Sequence, residues 1–322
     1  TLFSSTAEEI CAWEMANPTI ETDFILMGFS EIHELQILHA LIFLLIYITA
    51  LVGNTLIINV TSLDKFLSTP MYFFLKHLSF LDFCFISVTV PKSMTNSLTH
   101  TNSISFLGCA TQLFSVLYLA FSELVLLTVM SYDRYVAICN PLHYEVIMNR
   151  KFCMQLFAAS WLSGGIVGSM YTSSTFSLTF CSLFVQQFFC DVPSLMKISC
   201  VGPYLAETVT TAVIFLLALS CFISIIVSYT YIFFAVLKIP SVQSRSKAFS
   251  TCLPHLFTVI LFFSTGTAPY LKPKSDIPSF LDLLSSVFYT VIPPTLNPMI
   301  YSLRNKDIKD ALRKVIFGKV SK

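Results

Sequence analysis

The sequence predicts an all-helical membrane protein, a bundle of seven transmembrane helices followed by a short amphipathic eighth helix. Composition is the first observation, because 55% of the 322 residues are hydrophobic, only 11% are charged and the mean hydropathy is +0.75, which no ordinary soluble domain shows. The second is a series of apolar runs, each long enough to cross about 30 Å of hydrocarbon as a helix. They lie near residues 36–62, 70–95, 106–139, 153–172, 204–238, 248–271 and 280–303.

The third observation is the distribution of basic residues. Seven spans place the two termini on opposite sides of the membrane, and cytoplasmic segments retain Lys and Arg. With the N-terminus outside, fifteen of the nineteen basic residues fall on the inner side and four on the outer side. The inner ones are Lys65, Lys76, Arg134, Arg150, Lys151, Lys238, Arg245, Lys247, Arg304, Lys306, Lys309, Arg313, Lys314, Lys319 and Lys322; the outer ones are Lys92, Lys197, Lys272 and Lys274. We therefore expect a multi-pass plasma-membrane protein with an extracellular N-terminus.

The predicted organisation is an extracellular segment 1–35, a seven-helix domain 36–303 and a cytoplasmic amphipathic helix with a tail, 304–322. Residues 1–14 lack the basic and apolar regions of a signal peptide, so we expect the first helix to direct insertion and Met15 to be the natural start. The long outer segment 173–203 is expected to fold over the outer mouth of the bundle. In the eighth helix, Lys309, Arg313 and Lys314 would face lipid headgroups.

Several classes of protein are excluded. The six histidines are scattered without metal-ligand spacing, and no hydrolase, phosphate-loop or metalloprotease motif is present, so no enzyme and no metal cofactor are predicted. The net charge is +1, and no basic patch of the kind that binds nucleic acid is visible. A transporter would show repeated helix groups, and we find none.

Four cysteines lie at the outer side. Cys109 ends the third span on that side, and Cys181, Cys190 and Cys200 lie in the segment 173–203, in an oxidising compartment. Four cysteines allow three pairings, and their spacing alone does not select one.

Two acids lie within the apolar runs, Asp82 in the second and Glu123 in the third. A carboxylate in a membrane must be paired, metal-bound or protonated. One interpretation is a hydrogen-bonded network with Asn54, Ser79 and Asn297. The other is a sodium site that favours an inactive arrangement of the bundle.

Nine motifs, in order along residues 15–318, resemble the vertebrate olfactory receptor family. They are Gly53-Asn54, Pro70-Met71-Tyr72-Phe73-Phe74-Leu75, Leu78-Ser79-Phe80-Leu81-Asp82, Ser122-Glu123, the run from Met130 to Cys139, Pro141-Leu142-His143-Tyr144, Ser228-Tyr229, Lys247-Ala248-Phe249-Ser250-Thr251-Cys252 and the run from Pro294 to Tyr301. The resemblance implies a rhodopsin-like G protein-coupled receptor that binds volatile odorants among its helices. It also implies an olfactory stimulatory G protein as partner, cyclic AMP as the signal, export chaperones and a location in the cilia of olfactory neurons.

The resemblance further implies the disulfides Cys109–Cys190 and Cys181–Cys200, sodium as an allosteric ligand at Asp82 and Glu123, and a set of switch residues. The switch residues are Asp133, Arg134, Tyr135, Tyr229, Lys247, Asn297, Pro298 and Tyr301. Arg134 would leave Asp133 on activation, although simple charge neutralisation at the interface is the alternative interpretation.

Helical spacing together with the resemblance predicts a largely apolar ligand pocket. Its residues would be Val116, Leu117, Ala120, Phe121, Val213, Ile214, Leu217, Phe263, Gly266, Thr267, Tyr270, Val287 and Thr290, although ordinary helix packing would give the same pattern. Because Val116 stands where amine receptors carry an acid, no charged amine is expected to pair at that position.

Two departures from the family pattern stand out. Phe263 lacks the phenolic hydroxyl that most relatives have, which puts the usual trigger of the sixth helix in doubt. Asn17-Pro18-Thr19 has proline where a glycosylation sequon excludes it, so we expect an unglycosylated N-terminus. A peptide or lipid receptor of the same fold, or a product that never reaches the membrane, remains an alternative.

Overall fold

A computed structural model of the chain describes residues 23–28, 33–64, 67, 69–99, 102–201, 204–271 and 280–317. The expectations for Met15 and for the sequon-like Asn17-Pro18-Thr19 lie outside the described residues, and so do those for the outer segment 272–279 and the tail 318–322. The side chains of Lys247, Thr267 and Tyr270 also lie outside the described part.

Seven long helices and a shorter eighth account for most of the described chain. They are α1 (His33–Leu63), α2 (Pro70–Thr99), α3 (Phe106–Cys139), α4 (Arg150–Phe176), α5 (Tyr204–Leu237), α6 (Val242–Leu271), α7 (Phe280–Arg304) and α8 (Lys306–Phe317). Side chains cap two of them: Gly108 N donates to Ser105 Oγ before α3, and Phe152 N donates to Asn149 Oδ1 before α4. Such caps satisfy backbone donors that the first turn leaves free.

Helices α1 to α6 are each long and apolar enough to cross a membrane. Helix α7 contains Pro293, Pro294 and Pro298 and packs against α1, α2 and α6, which completes the bundle. The predicted fold of seven helices with a short eighth is confirmed. Many large apolar side chains on α1 and α5 are exposed, as expected of surfaces that face lipid rather than water.

Glycines let α3 and α4 approach closely. A Cβ at Gly164 would lie 2.0 Å from Ser122 Oγ and 2.5 Å from the Tyr118 carbonyl oxygen, and one at Gly168 would lie 3.2 Å from Phe114. Small residues at a helix contact allow this approach within a membrane. Helix α3 thereby lies at the centre of the bundle, in contact with α2, α4, α5 and α6.

Short strands form a cap at the end of the bundle that the distribution of basic residues predicts to be the outer one; the opposite end is called the inner one. The strands are β1 (Phe24–Leu26), β2 (Ser103–Ile104), β3 (Thr179–Phe180), β4 (Phe184–Val185) and β5 (Ser199–Val201). Strand β1 pairs antiparallel with β2 and parallel with β4, while β3 pairs antiparallel with β5. Phe24 and Leu26 of β1 are each 1% exposed. The sequence analysis did not predict this sheet.

Both expected disulfides, Cys109–Cys190 and Cys181–Cys200, are present in the cap. The first attaches the outer segment to α3, and the second closes the β3–β5 pair. A short loop helix, Val192–Ile198, follows Cys190 directly. The outer segment therefore covers the bundle, and its position is fixed by covalent bonds.

Helix α8 is tied to the inner ends of other helices. Tyr72 Oη donates to Asp307 Oδ2 at 2.9 Å, and Lys314 Nζ lies 3.6 Å from Asp64 Oδ2. Ile308 and Ala311 are buried, whereas Arg313 and Lys314 are exposed. The amphipathic pattern thus gives one face against the bundle, with Lys314 reaching Asp64 beside it and Arg313 exposed.

Candidate functional site

A cavity of about 170 Å³ lies between the outer half of α3, the outer parts of α6 and α7, and the residues that follow Cys190. Its lining is mostly apolar. The lining residues are Phe85, Leu113, Val116, Leu117, Ala120, Glu123, Asp191, Val192, Pro193, Phe262, Thr265, Gly266, Tyr289, Pro293 and Pro294. An apolar cavity of about 150 Å³ can hold benzene, so this one suits a molecule of one ring or a short chain.

Four of the predicted pocket residues line the cavity: Val116, Leu117, Ala120 and Gly266. Gly266 is a gap in the wall, because a Cβ added there would meet no atom within 4 Å. The other predicted pocket residues whose side chains are described do not line the cavity. They are Phe121, Val213, Ile214, Leu217, Phe263, Val287 and Thr290.

Helix α5 turns its predicted pocket residues elsewhere. Val213 is 38% exposed and Leu217 is 44% exposed, so both lie on the lipid-facing surface of the bundle and not in its interior. Ile214 packs against the cluster that Phe121 forms with Leu124 of α3 and Val167 of α4. Because α5 is apolar on all sides, its sequence does not reveal which face points inward.

On α6 the prediction is one residue out of phase. Phe262, Thr265 and Gly266 share the face that lines the cavity, whereas Phe263 packs its ring 4.7 Å from the ring of Phe222 on α5. The i, i+3, i+4 rule fits both faces. Because Phe263 does not line the cavity, a tyrosine hydroxyl at this position would also lie outside the cavity wall.

The sequence analysis also missed Asp191, Val192 and Pro193. They begin the loop helix immediately after Cys190, whose disulfide to Cys109 holds this segment against the outer end of α3. The predicted Cys109–Cys190 disulfide holds these residues near the outer end of α3, so the sequence did contain a signal for their position.

The two predicted acids are brought together below the cavity. Asn297 Nδ2 lies 3.2 and 3.0 Å from the carboxylate oxygens of Asp82 and 3.5 Å from Glu123 Oε1. Asp82 is 0% exposed, and Glu123 is 3% exposed and also lines the cavity. Asn54 of α1 donates at 2.8 Å to the carbonyl oxygen of Pro294, which lies on α7 like Asn297. One amide group is therefore shared by two buried carboxyl groups.

At the inner face, Arg134 is ion-paired with Asp133 through both Nε and a terminal nitrogen. Tyr144 Oη donates to the other Asp133 oxygen at 2.7 Å. Burial, with the Asp133 charge beside it, raises the pKa of Tyr144, so the phenol remains a donor at neutral pH. Asp133 is 1% exposed, whereas the Arg134 side chain is 12% exposed and lines the inner cleft.

A histidine joins three helices near this pair. His255 of α6 contacts the Leu127 carbonyl oxygen of α3 at 3.0 Å through Nε2, and Tyr229 Oη of α5 at 2.6 Å through Nδ1. A carbonyl oxygen can only accept, so Nε2 carries the proton and Nδ1 accepts from Tyr229. The sequence analysis assigned His255 no role.

The other switch residues lie around the same inner region. Tyr301 is 5% exposed and lines a small inner cleft with Arg134 and His255, while the ring of Tyr135 lies 5.8 Å from that of Tyr231. Pro298 packs against α1, where a Cβ at Gly53 would lie 3.0 Å from its ring. No three His, Cys, Asp or Glu side chains of the described part could together hold a metal ion.

Comparison with solved structures shows a known fold. The structure matches squid rhodopsin with a TM-score of 0.73, covering 88% of this chain and 81% of that chain at 16% sequence identity. At this identity the likeness concerns the fold alone.

Comparison with known sequences shows the family. The family model for olfactory receptors matches residues 43–319. Human olfactory receptor 14A16 is 58% identical over 96% of this chain and 100% of its own length, and human olfactory receptor 14K1 is 56% identical over 94% and 97%. The chain therefore belongs to the olfactory receptor family of multi-pass, seven-helix membrane receptors and is not an enzyme.

Proposed function

We propose that this receptor binds small, volatile, mostly apolar odorants in the outer cavity and activates the olfactory stimulatory G protein, which raises cyclic AMP. The observation that supports the proposal is that the same two helices serve both ends of the molecule. Helices α3 and α6 line the cavity with Val116 and Gly266 and carry Arg134 and His255 at the inner side. A ligand that shifts α6 at the cavity would move it at the inner face too.

Activation is a population shift between a closed and an open arrangement of α6. In the closed arrangement His255 bonds Leu127 and Tyr229, and Arg134 is held by Asp133. Opening breaks these contacts and frees Arg134 and Tyr229 to meet the G protein. Burial of a small ligand at about 25 cal/mol per Å², together with one or two hydrogen bonds, gives affinities on the order of micromolar, which corresponds to a binding free energy of about 8 kcal/mol at best.

The test is a cyclic AMP assay in cells that express the receptor with an export chaperone and the olfactory G protein. We expect some volatile odorants to raise cyclic AMP and Arg134→Ala to remove the response at equal surface expression. A response that survives in Arg134→Ala would contradict the proposed switch.

Filling the gap at Gly266 is expected to block the ligand. The side chain in Gly266→Leu would extend into open space within the cavity wall, so we expect at least a tenfold rise in the half-effective odorant concentration with normal surface expression. Gly266→Ala adds one methyl group and is the graded control. An unchanged response in Gly266→Leu would place the ligand elsewhere.

We further propose that a sodium ion binds at Asp82 and Glu123 and favours the closed arrangement. The residues fit this ion, because hard cations take oxygen ligands and Asn297 Oδ1 is buried with no hydrogen-bond partner among the described residues. Two carboxyl groups that share one amide donor can accommodate a positive charge between them. A protonated, hydrogen-bonded network is the alternative.

The sodium proposal predicts a cation-dependent stability. The purified receptor should show a higher Tm in sodium chloride than in choline chloride at equal ionic strength, and Glu123→Gln should abolish the difference. Equal melting temperatures of the wild-type receptor in the two salts would favour the network without an ion.

The same proposal includes the orientation in the membrane, the cellular location and the remaining partners. The N-terminus would face outward, supported by the disulfide-bonded cap that adjoins β1, and α8 would lie against membrane lipid with Arg313 and Lys314 towards headgroups. We propose ciliary plasma membrane as the site of action and export chaperones as transient partners.

A further inference from the structure

Asp191 is the acidic residue at the outer end of the cavity, and it is only 7% exposed. Its Oδ1 accepts from the Ser194 backbone N at 3.0 Å and so caps the loop helix, and the Ser194 side chain is a second donor to the carboxylate. A carboxylate has room for about four hydrogen bonds, so capping occupies part of its capacity. A buried anion is stable only where further donors reach it.

The cavity has a one-sided charge. Among the described residues, its lining includes two carboxylic side chains, Asp191 at the outer end and Glu123 at the inner end, and no Lys, Arg or His. Leu113, which packs with the neighbours of Asp191, lies about 15 Å along α3 from Glu123. The two acids therefore lie at different depths in the cavity. Lys197 is exposed on the loop helix and does not line the cavity.

The pKa of Asp191 lies below neutral pH, so the carboxyl group is mostly ionised there. Burial raises its pKa to about 6, opposed by the hydrogen bonds from Ser194 and by the charge of Lys197. An ionised carboxylate in an apolar cavity attracts a ligand that can donate a proton in a hydrogen bond or carries a cation, and it repels a carboxylate.

We propose that Asp191 is the polar anchor of the ligand and that the receptor selects small alcohols or protonated amines over carboxylic acids of the same size. This inference rests on the proposed function and deepens it by naming the ligand class. It also moves the anchor from α3, where Val116 offers no charge, to the segment that the Cys109–Cys190 disulfide holds over the cavity.

The test uses four probes with one ring each: cyclohexylamine, cyclohexanol, cyclohexanecarboxylic acid and methylcyclohexane. Binding is read as the rise in Tm of the purified full-length receptor, and signalling is read separately as cyclic AMP. We expect the wild-type receptor to be stabilised by the amine and the alcohol at lower concentrations than by the hydrocarbon, and least by the acid.

The decisive variant is Asp191→Asn. Asparagine caps helices as well as aspartate, so the loop helix should be retained while the charge is lost. We expect the half-saturating concentration of the amine to rise at least tenfold and the discrimination against the acid to shrink. Glu145→Gln removes one negative charge at an exposed position that does not line the cavity, and it should keep the wild-type ranking.

The outcomes separate the two proposals. If Asp191 serves only as a cap, Asp191→Asn will keep the wild-type ranking, and the inference is overturned. The same holds if the acid binds the wild-type receptor best or if neither amine nor alcohol binds it, a result that does not depend on how the variant folds. Binding with the expected ranking but without cyclic AMP would support the anchor and contradict the proposed signalling.

Discussion

Gly164→Ala is expected to remove most of the receptor from the cell surface. The added Cβ would lie 2.5 Å from the Tyr118 carbonyl oxygen and 2.0 Å from Ser122 Oγ. The hydroxyl can rotate away, but the backbone carbonyl cannot, so α4 must separate from α3. Overpacking of this kind costs about 1–3 kcal/mol, and we expect the upper part of that range.

Gly165→Ala is the matched control. Its Cβ would lie 3.7 Å from the Tyr118 ring, which is an ordinary contact, and alanine favours the helix by about 1 kcal/mol over glycine. We expect Gly165→Ala to keep or raise the Tm and Gly164→Ala to lower it by roughly 4–8 °C. Surface labelling and thermal unfolding in detergent measure both variants, and equal behaviour of the two would contradict the close α3–α4 contact.

His255→Leu is expected to raise cyclic AMP in the absence of odorant. It removes the bonds to Leu127 and Tyr229 that join α6 to α3 and α5. Each buried hydrogen bond contributes about 1 kcal/mol, so the open arrangement should gain about 1–2 kcal/mol, or roughly 5–30-fold in population.

The measurement is basal cyclic AMP divided by surface expression. His77→Leu is the control, because His77 of α2 contacts the rings of Phe73 and Phe157 and lies away from α6. We expect no rise in that variant. Unchanged or lower basal signalling in His255→Leu would mean that these bonds do not hold the receptor closed.

The helices could be predicted from the sequence because a span needs only length and apolarity, and both are visible in one stretch of chain. The acid pair was predicted for the same reason, since a carboxyl group such as Asp82 in an apolar run demands a partner. Asn297 was also foreseen, because its motif matched the family.

The sequence predicted less accurately which face of each helix points into the bundle. Helix α5 is apolar all round, so Val213 and Leu217 gave no sign that they face outward. On α6, Phe262 and Phe263 are identical residues on adjacent faces, and only packing against Phe222 separates them. The strands of the cap are two or three residues long, too short to leave a periodic pattern.

The disulfide that joins Cys109 to Cys190 spans 81 residues, and this separation sets an order of assembly. At about 5–20 residues per second, Cys109 waits roughly 4–16 s for its partner to be synthesised. Strand β1 is made earlier still and cannot pair with β4 until α4 has been inserted. The outer cap therefore closes only after the first four helices have been made. A helix that inserts slowly prolongs the time during which the Cys109 thiol and the unpaired β1 strand are exposed to the machinery that retains unfinished proteins.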